Sequence, residues 1–277
     1  MRPSMLKWHN SGIVMFALIL ATTGQVVWAQ EEPEFGELRA LIEVNTTDGD
    51  AGFQILIDGD GWRDVRVDDP NGQKIYSVSG DKSVKEQGLT ESFFESSEPE
   101  CSEEGFSLSD TLDRFPAGEY SVRGKSTDNQ QMEGEAILTH AIPAAPGNLM
   151  PPMGSIGVNP ANTVISWTED DGGLGLCPAN GADIPNPADV PLFGYEVVVE
   201  REFPEPLMVF VAQVSPTTNS VNVSPQFMAT PAGGIFKYEI ISIEERMIDG
   251  EVVKGNQSIA EGFFCTTGIA AVDCEIE

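Results

Sequence analysis

Apolar and polar side chains alternate along several short stretches of the chain, as they do in half-buried antiparallel strands. In residues 231–244, PAGGIFKYEIISIE, a Pro-Ala-Gly-Gly turn precedes a strand with Phe236 and Tyr238 on one side and charged residues on the other. Residues 164–167, VISW, and 194–199, GYEVVV, show the same alternation. The second half of the chain is therefore predicted to consist of antiparallel strands.

The first half of the chain has a similar pattern. Residues 38–44 and 53–57 each alternate, and Asp58-Gly-Asp60-Gly61 predicts a turn from which residues 62–67 return. A corner at residues 115–122 repeats the Pro-Ala-Gly-aromatic order of the second half. These features predict a meander of strands joined by tight turns. Further strands are predicted at residues 74–79 and 132–140.

The strands of the second half resemble those of a fibronectin type III domain, with Trp167 early and a Pro-Gly-aromatic corner late. The resemblance covers about residues 150–265, and it places the corner tyrosine of the family at Phe236, which lacks the bonding hydroxyl. The first half more loosely resembles an immunoglobulin-like β-sandwich of secreted bacterial proteins. The expected fold is all-β, with two immunoglobulin-like β-sandwich domains in tandem after a cleaved signal peptide.

The domain limits follow from these patterns. The proline-rich stretch IPAAPGNLMPP, residues 142–152, predicts a semi-rigid join. A long insertion at residues 169–191 separates the second and third strands of the second domain, where the family has a short loop. The predicted parts are a signal peptide at 1–29, an immunoglobulin-like sandwich at 30–142, a linker at 143–152, a fibronectin type III-like domain at 153–268 and a tail at 269–277.

The N-terminal segment has the order of a secretory signal. Arg2 and Lys7 precede an apolar run at residues 13–21, and a small residue, Ala29, ends the segment. The run is shorter than the roughly 20 residues that a membrane span needs, although an uncleaved anchor is the alternative. The protein is expected to be secreted or periplasmic, or associated with the cell surface.

The chain is strongly acidic, with 44 acidic and 15 basic residues. Cleavage after residue 29 removes two bases and no acids, which leaves a net charge of −31. Such a charge opposes binding to nucleic acid and to an anionic membrane surface. A solvated acidic surface and divalent cation binding are the two explanations that stay open.

Four cysteines in an exported chain predict disulfides, and three pairings are possible. The resemblance places Cys177 in the loop facing the preceding domain and Cys265 at the far end of the second domain. It therefore implies a Cys265–Cys274 pair and leaves Cys101 to reach Cys177, which would fix the joint between the domains. The alternative is that Cys101 and Cys177 are free loop thiols.

Catalytic chemistry has little support in the sequence. His140 is the only histidine after the predicted signal, and no serine lies in a GxSxG elbow. His140 is interpreted as a solvent-facing strand end, and the protein is predicted not to be an enzyme.

Asp48, Asp50, Asp68 and Asp69 are the candidate ligands of a calcium ion. If the chain turns at residues 58–61, the returning strand brings the second pair of aspartates back toward the first, and calcium prefers such oxygen ligands. The alternative is that these residues only form turns. No other cofactor is predicted.

The expected function is that of a non-catalytic exported binding, adhesion or structural module with an acidic surface and a protein or glycan partner. The alternative is a calcium-dependent or carbohydrate-binding accessory protein of an extracellular degradative system. For the carbohydrate hypothesis, Trp62 and Phe93 are the aromatics that could stack on a sugar.

Overall fold

The computed structural model describes residues 32–102, 106–169, 173–270, 272, 274 and 275. The predicted signal peptide lies outside the described residues. The chain from Pro33 onward forms one compact unit. Among the described residues, no helix has the length and apolar character needed to span a membrane.

The described chain is dominated by strands, which confirms the all-β fold class. The strands are β1 Phe35–Asn45, β2 Asp50–Asp68, β3 Lys74–Ser79, β4 Leu89–Glu95, β5 Gly118–Ser126, β6 Gln131–Leu138, β7 Pro146–Met150, β8 Ser155–Val158, β9 Val164–Glu169, β10 Leu192–Phe203, β11 Met208–Val214, β12 Ser220–Asn222, β13 Ile235–Ile248 and β14 Glu251–Thr266. The short helices are α1 Lys82–Gln87, α2 Leu108–Arg114 and α3 Pro225–Met228, with a 3₁₀ turn at Pro187–Asp189.

The second half folds as a sandwich of two sheets. One contains the order β11-β10-β13-β14 and the other the order β12-β9-β7, while β8 pairs in parallel with β14. The alternation of β13 places Phe236 and Tyr238 in the core between the sheets, where Phe236 stacks on Phe264 with ring centres 5.5 Å apart. Tyr238 Oη donates to the carbonyl of Pro151 at 2.5 Å. This bond joins β13 to the linker, 87 residues away in the sequence, and does not replace the corner bond that Phe236 lacks.

The first half is built around β2, and here the predicted turn at residues 58–61 is wrong. β2 continues through these residues and exchanges its partners there, from β1 and β4 before the change to β3 and β5 after it. The glycines permit this because a Cβ on Gly59 would lie 2.8 Å from the Glu34 carbonyl. Trp62 follows in the core, fully buried. Burial of Trp62 in the core therefore favours a continuous β2 over a turn at residues 58–61.

A single sheet runs through both halves. β1 lies beside β14 in parallel, with register pairs from Glu43↔Gln257 to Asn45↔Ile259. Where the backbone ladder ends, a side chain replaces the missing backbone acceptor: Asn256 Oδ1 accepts a hydrogen bond from the backbone N–H of Ile42 at 2.8 Å. The backbone groups at the end of the ladder therefore stay paired.

A buried ion pair lies beside this ladder. Arg246 Nη2 is 2.7 Å from Glu244 Oε2, and both side chains are almost completely buried. Arg246 Nη1 also donates to the carbonyl of Ala40 at 3.1 Å, and Thr139 Oγ1 donates to Glu244 Oε1 at 2.9 Å. The two buried charges thus neutralise each other, and polar groups of the first half, the Ala40 carbonyl and the Thr139 hydroxyl, complete their hydrogen bonding.

The predicted linker is packed against the sheet. Ser258 Oγ donates to the carbonyl of Pro143 at 2.6 Å, and Ser242 Oγ donates to that of Ala144 at 2.7 Å. Ala145 is buried, and β7 begins with the next residue. These contacts hold the join in place, while the domain limits themselves stay a prediction.

The insertion between β9 and β10 packs on the core of the first half. Leu174 and Cys177 are buried in that core, and Cys177 is bonded to Cys101 with Cα atoms 5.0 Å apart. The second disulfide joins Cys265 to Cys274, with Cα atoms 5.9 Å apart. Both pairings implied by the resemblance are present, and no described cysteine is free.

Candidate functional site

The four predicted calcium ligands do not come together. Asp48 lies in the turn between β1 and β2, and Asp50 begins β2. Asp68 ends the same strand and Asp69 follows it. Because β2 does not turn back, the two pairs lie at opposite ends of a 19-residue strand.

The second pair has structural partners instead. Asp68 is buried and forms ion pairs with Arg66 at 2.5 Å and Arg123 at 3.7 Å. Asp69 Oδ1 accepts from the backbone N–H groups of Asn71 at 3.0 Å and Gln73 at 2.7 Å, as expected for an aspartate that forms a turn. Calcium binding by the protein stays a prediction, without a site formed by all four aspartates.

Three glutamates that the sequence did not single out converge on the outer face of the shared sheet. Carboxylate oxygens of Glu43 on β1, Glu95 on β4 and Glu98 after β4 all lie within 4.8 Å of one another. Gln54 on β2 donates to Glu95 Oε1 at 2.8 Å. Gly52 makes room for this group, since a Cβ there would lie 2.6 Å from Glu98 Cγ.

This clustering changes the acidity of the glutamates. Burial, followed by the charges of Glu98 and Glu95, raises the pKa of Glu43 to about 8. Burial, followed by the charges of Glu95 and Asp50, raises the pKa of Glu98 to about 7. Glu43 and Glu98 therefore both bind a proton more readily near neutral pH than an ordinary glutamate does. The protons relieve part of the repulsion among the three groups.

Acidic side chains continue across the junction between the halves. Burial and the charges of Asp48, Glu261 and Glu100 raise the pKa of Asp50. Lys237 is the cation among them, 2.8 Å from Glu261 Oε2 and 3.1 Å from Glu239 Oε1. We call this surface the acidic face; it consists of Glu43, Asp48, Asp50, Glu95, Glu98, Glu100, Glu239 and Glu261.

An apolar strip borders the acidic face. Val198 on β10 pairs with Glu239 in the register, and Ile241, which is buried, follows two residues later on the same side of β13. The strip ends at the edge strand β11, where Val209 and Val211 are about half exposed. The outer side of the sheet thus offers charged and apolar surface together.

The sequence hypothesis of a sugar-stacking platform is wrong for Trp62. Its side chain is 0% exposed and lies in the core of the first half, where no ligand can stack on it. Phe93 is 56% exposed on β4. One exposed phenylalanine does not make a platform with a buried tryptophan.

His140 is also placed differently from the expectation of a solvent-facing strand end. It lies two residues beyond β6 and is only partly exposed. Its Nε2 atom is 2.9 Å from the carbonyl oxygen of Phe115, so this nitrogen carries the proton and donates. The imidazole thus ties the end of β6 to the corner before β5.

Comparisons with known proteins concern the fold only. No family model matches the chain, and no curated protein matches it. Among solved structures, the FN1-FN3 domains of chicken CNTN1 share 10% identity and a TM-score of 0.32, over 84% of this chain and 65% of that chain. A segment of two fibronectin type III domains from chicken tenascin has 10% identity and a TM-score of 0.27, over 84% and 98% of the two chains.

A third match is Tp47, the 47-kilodalton lipoprotein of Treponema pallidum, with 13% identity and a TM-score of 0.32, over 84% of this chain and 52% of that chain. The expected resemblance to fibronectin type III domains is thus met among the structural neighbours. At these identities and TM-scores, the functions of the neighbours are not transferred to this chain. The chain is an all-β sandwich protein with fibronectin type III structures among its structural neighbours.

Proposed function

We propose that the protein is a non-catalytic, exported binding module that presents the acidic face to a positively charged protein. The supporting observation is the continuous sheet formed by β1 and β14, which places carboxylates from both halves on one surface. Two disulfides support an oxidising destination, outside the cytoplasm. The function is binding or adhesion through a surface, with no reaction.

A rigid frame favours this function. The packed linker, the buried Glu244–Arg246 pair and the Cys101–Cys177 bond all hold the two halves in one arrangement. A surface that is already ordered loses less conformational entropy on binding than a hinged one. Carboxylates at its border steer a cationic partner toward the apolar strip beside them.

The test uses site-specific photo-crosslinking in the medium and envelope fractions of the producing cells. A photoreactive phenylalanine at Val211, beside the acidic face, should capture a defined protein, whereas the same residue at exposed Asp128 should not. Capture should weaken as salt rises and be lost when Glu95 and Glu98 are both changed to lysine, because the attraction is electrostatic. Equal capture from both positions, or capture that neither salt nor the lysines reduce, would contradict the proposal.

The carbohydrate alternative is tested with the same purified protein. Retention on insoluble cellulose or chitin, unaffected by the Glu95→Lys and Glu98→Lys changes, would favour an accessory protein of a degradative system. The binding-module proposal expects the protein to remain in the supernatant.

A further inference from the structure

A cavity opens where β1 and β14 stop pairing. The two strands are paired at residues 43–45 and 257–259, and the cavity lies between their unpaired parts at residues 37–39 and 252–254. Its volume is about 380 Å³, within the range of roughly 300–1,000 Å³ typical of small-molecule sites. Ile137 of β6 and Phe193 of β10 complete the wall, so both halves of the chain contribute.

The cavity gathers basic side chains in a chain that has few of them. Arg39, Arg246 and Lys254 all line it, although the whole sequence has only 15 lysines and arginines. Arg246 is neutralised by Glu244, as described above. Arg39 is 3.7 Å from Glu37, an acidic residue that also lines the cavity, while Lys254 has no such partner among the described residues.

Arg39 has an unmet donor. Its Nε atom is buried and makes no hydrogen bond to any described residue, and the nearest carboxylate oxygen, Glu37 Oε1, is 3.7 Å away. A buried donor without an acceptor costs free energy, which an incoming acceptor would recover. The guanidinium group of Arg39 thus has donor capacity that the described residues do not fill, and an anion in the cavity would meet its terminal nitrogens.

Lys254 is held close to an aromatic wall. Its Nζ atom lies 5.6 Å from the centre of the Phe193 ring, and in the described part of the chain no carboxylate lies within ion-pair distance of it. Leu38, Ile137 and Ile248 add apolar surface to the same cavity. The cavity wall thus has a positively charged group, Lys254, next to apolar side chains.

We propose that this cavity binds a small organic anion with an apolar body, such as an aliphatic or aromatic carboxylate. The anionic head accepts hydrogen bonds from Arg39 and Lys254, and the body packs on Leu38, Ile137 and Phe193. A molecule with a large negative charge repels free anions over long range, so affinity for such a ligand comes from these two local cations. The site is separate from the acidic face and does not depend on its role.

The first experiment follows the fluorescence of 8-anilinonaphthalene-1-sulfonate, an anion with an apolar body, in the presence of the folded protein. We expect saturable binding to the unmodified chain and at least about tenfold weaker binding when Arg39→Gln and Lys254→Gln are combined, since each charged hydrogen bond is strong. Lys125→Gln, an exposed lysine on β5, is the matched control and should bind like the unmodified chain. Lys254→Arg keeps the charge and should retain binding.

The second experiment tests the chemical class by displacement of the dye. Decanoate should displace it at concentrations at least about tenfold lower than decan-1-ol does, because only the carboxylate meets both cations. Thermal unfolding of each variant verifies that the protein is folded. The proposal is overturned if the unmodified chain does not bind the dye, if the double variant binds it equally well, or if decanol and decanoate compete equally.

Discussion

Glu43 shows how a single residue responds to the charges that the fold brings near it. Its pKa of about 8 in the folded chain lies above the ordinary value of 4.5, so between these pH values the folded state binds the proton more tightly than the unfolded state does. The folded state therefore loses stability, relative to the unfolded state, as pH rises through this window. Glu98 adds to the same trend.

Glu43→Gln should remove part of this pH dependence. We expect the variant and the unmodified protein to unfold at similar temperatures at pH 5, and the variant to unfold at a higher temperature at pH 8.5, because the amide carries no charge to repel Glu95 and Glu98. Differential scanning calorimetry across this range measures the effect. Glu86→Gln, on the exposed surface of α1, should follow the unmodified protein; an identical pH profile for Glu43→Gln would contradict the assignment.

Some single residues could be placed correctly from sequence patterns alone. Strand alternation correctly placed Phe236 in the core, and the repeated Pro-Ala-Gly corner marks Tyr120, whose hydroxyl donates to the carbonyl of Pro116 at 3.1 Å. The Glu43 cluster could not be found this way. Glu43 is distant in the sequence from Glu95 and Glu98, and in so acidic a chain a glutamate on a polar strand face carries no distinguishing signal.

At the scale of elements, the insertion at residues 169–191 acts as a strap fastened by Cys177. The bond to Cys101 closes a sequence separation of 76 residues, against 9 for Cys265–Cys274. In the chain-entropy model, closing these loops stabilises the fold by about 4.5 and about 2.7 kcal/mol respectively. The longer loop restricts the unfolded chain more.

Replacing Cys101 and Cys177 together by serine should therefore lower the free energy of unfolding by more than replacing Cys265 and Cys274 does. Guanidinium unfolding, followed by tryptophan fluorescence, compares the two double variants. Amide hydrogen exchange should also become faster around Leu174 in the first variant alone, because the insertion loses its attachment. A larger loss in the Cys265/Cys274 variant would show that the strap contributes little.

Element boundaries explain the main failure of the sequence prediction. Asp58-Gly-Asp60-Gly61 has the composition of a turn, yet the long-range burial of Trp62 and the close approach of Gly59 to the preceding strand carry β2 through it. Turn propensity is a local quantity, and partner exchange along a strand depends on contacts that are distant in the sequence. Because β2 continues, Asp48 and Asp50 lie at the opposite end of the strand from Asp68 and Asp69, and the four aspartates do not form one site.

At the scale of the whole molecule, the buried Glu244–Arg246 pair makes the halves depend on each other. Arg246→Met should destabilise the protein by about 3–5 kcal/mol, because it leaves the carboxylate of Glu244 buried without its cation. The Ala40 carbonyl would also lose its donor. Unfolding should change from one calorimetric transition to two, as the halves separate before each one melts.

Lys125→Met provides the control, since it removes a positive charge from an exposed position and should alter stability by less than about 0.5 kcal/mol. A single transition of unchanged midpoint for Arg246→Met would mean that the two halves are held together by the sheet and the disulfide alone.

The parallel alignment of β1 and β14 has a mechanical consequence. If tension is applied to the chain ahead of Phe35 and beyond Thr266, the two strands are drawn along their axes in opposite directions. The ladder bonds between residues 43–45 and 257–259 then carry the load in shear, all at the same time, and cannot open one after another as in a zipper. Resistance to forced unfolding is set by the rate of this rupture.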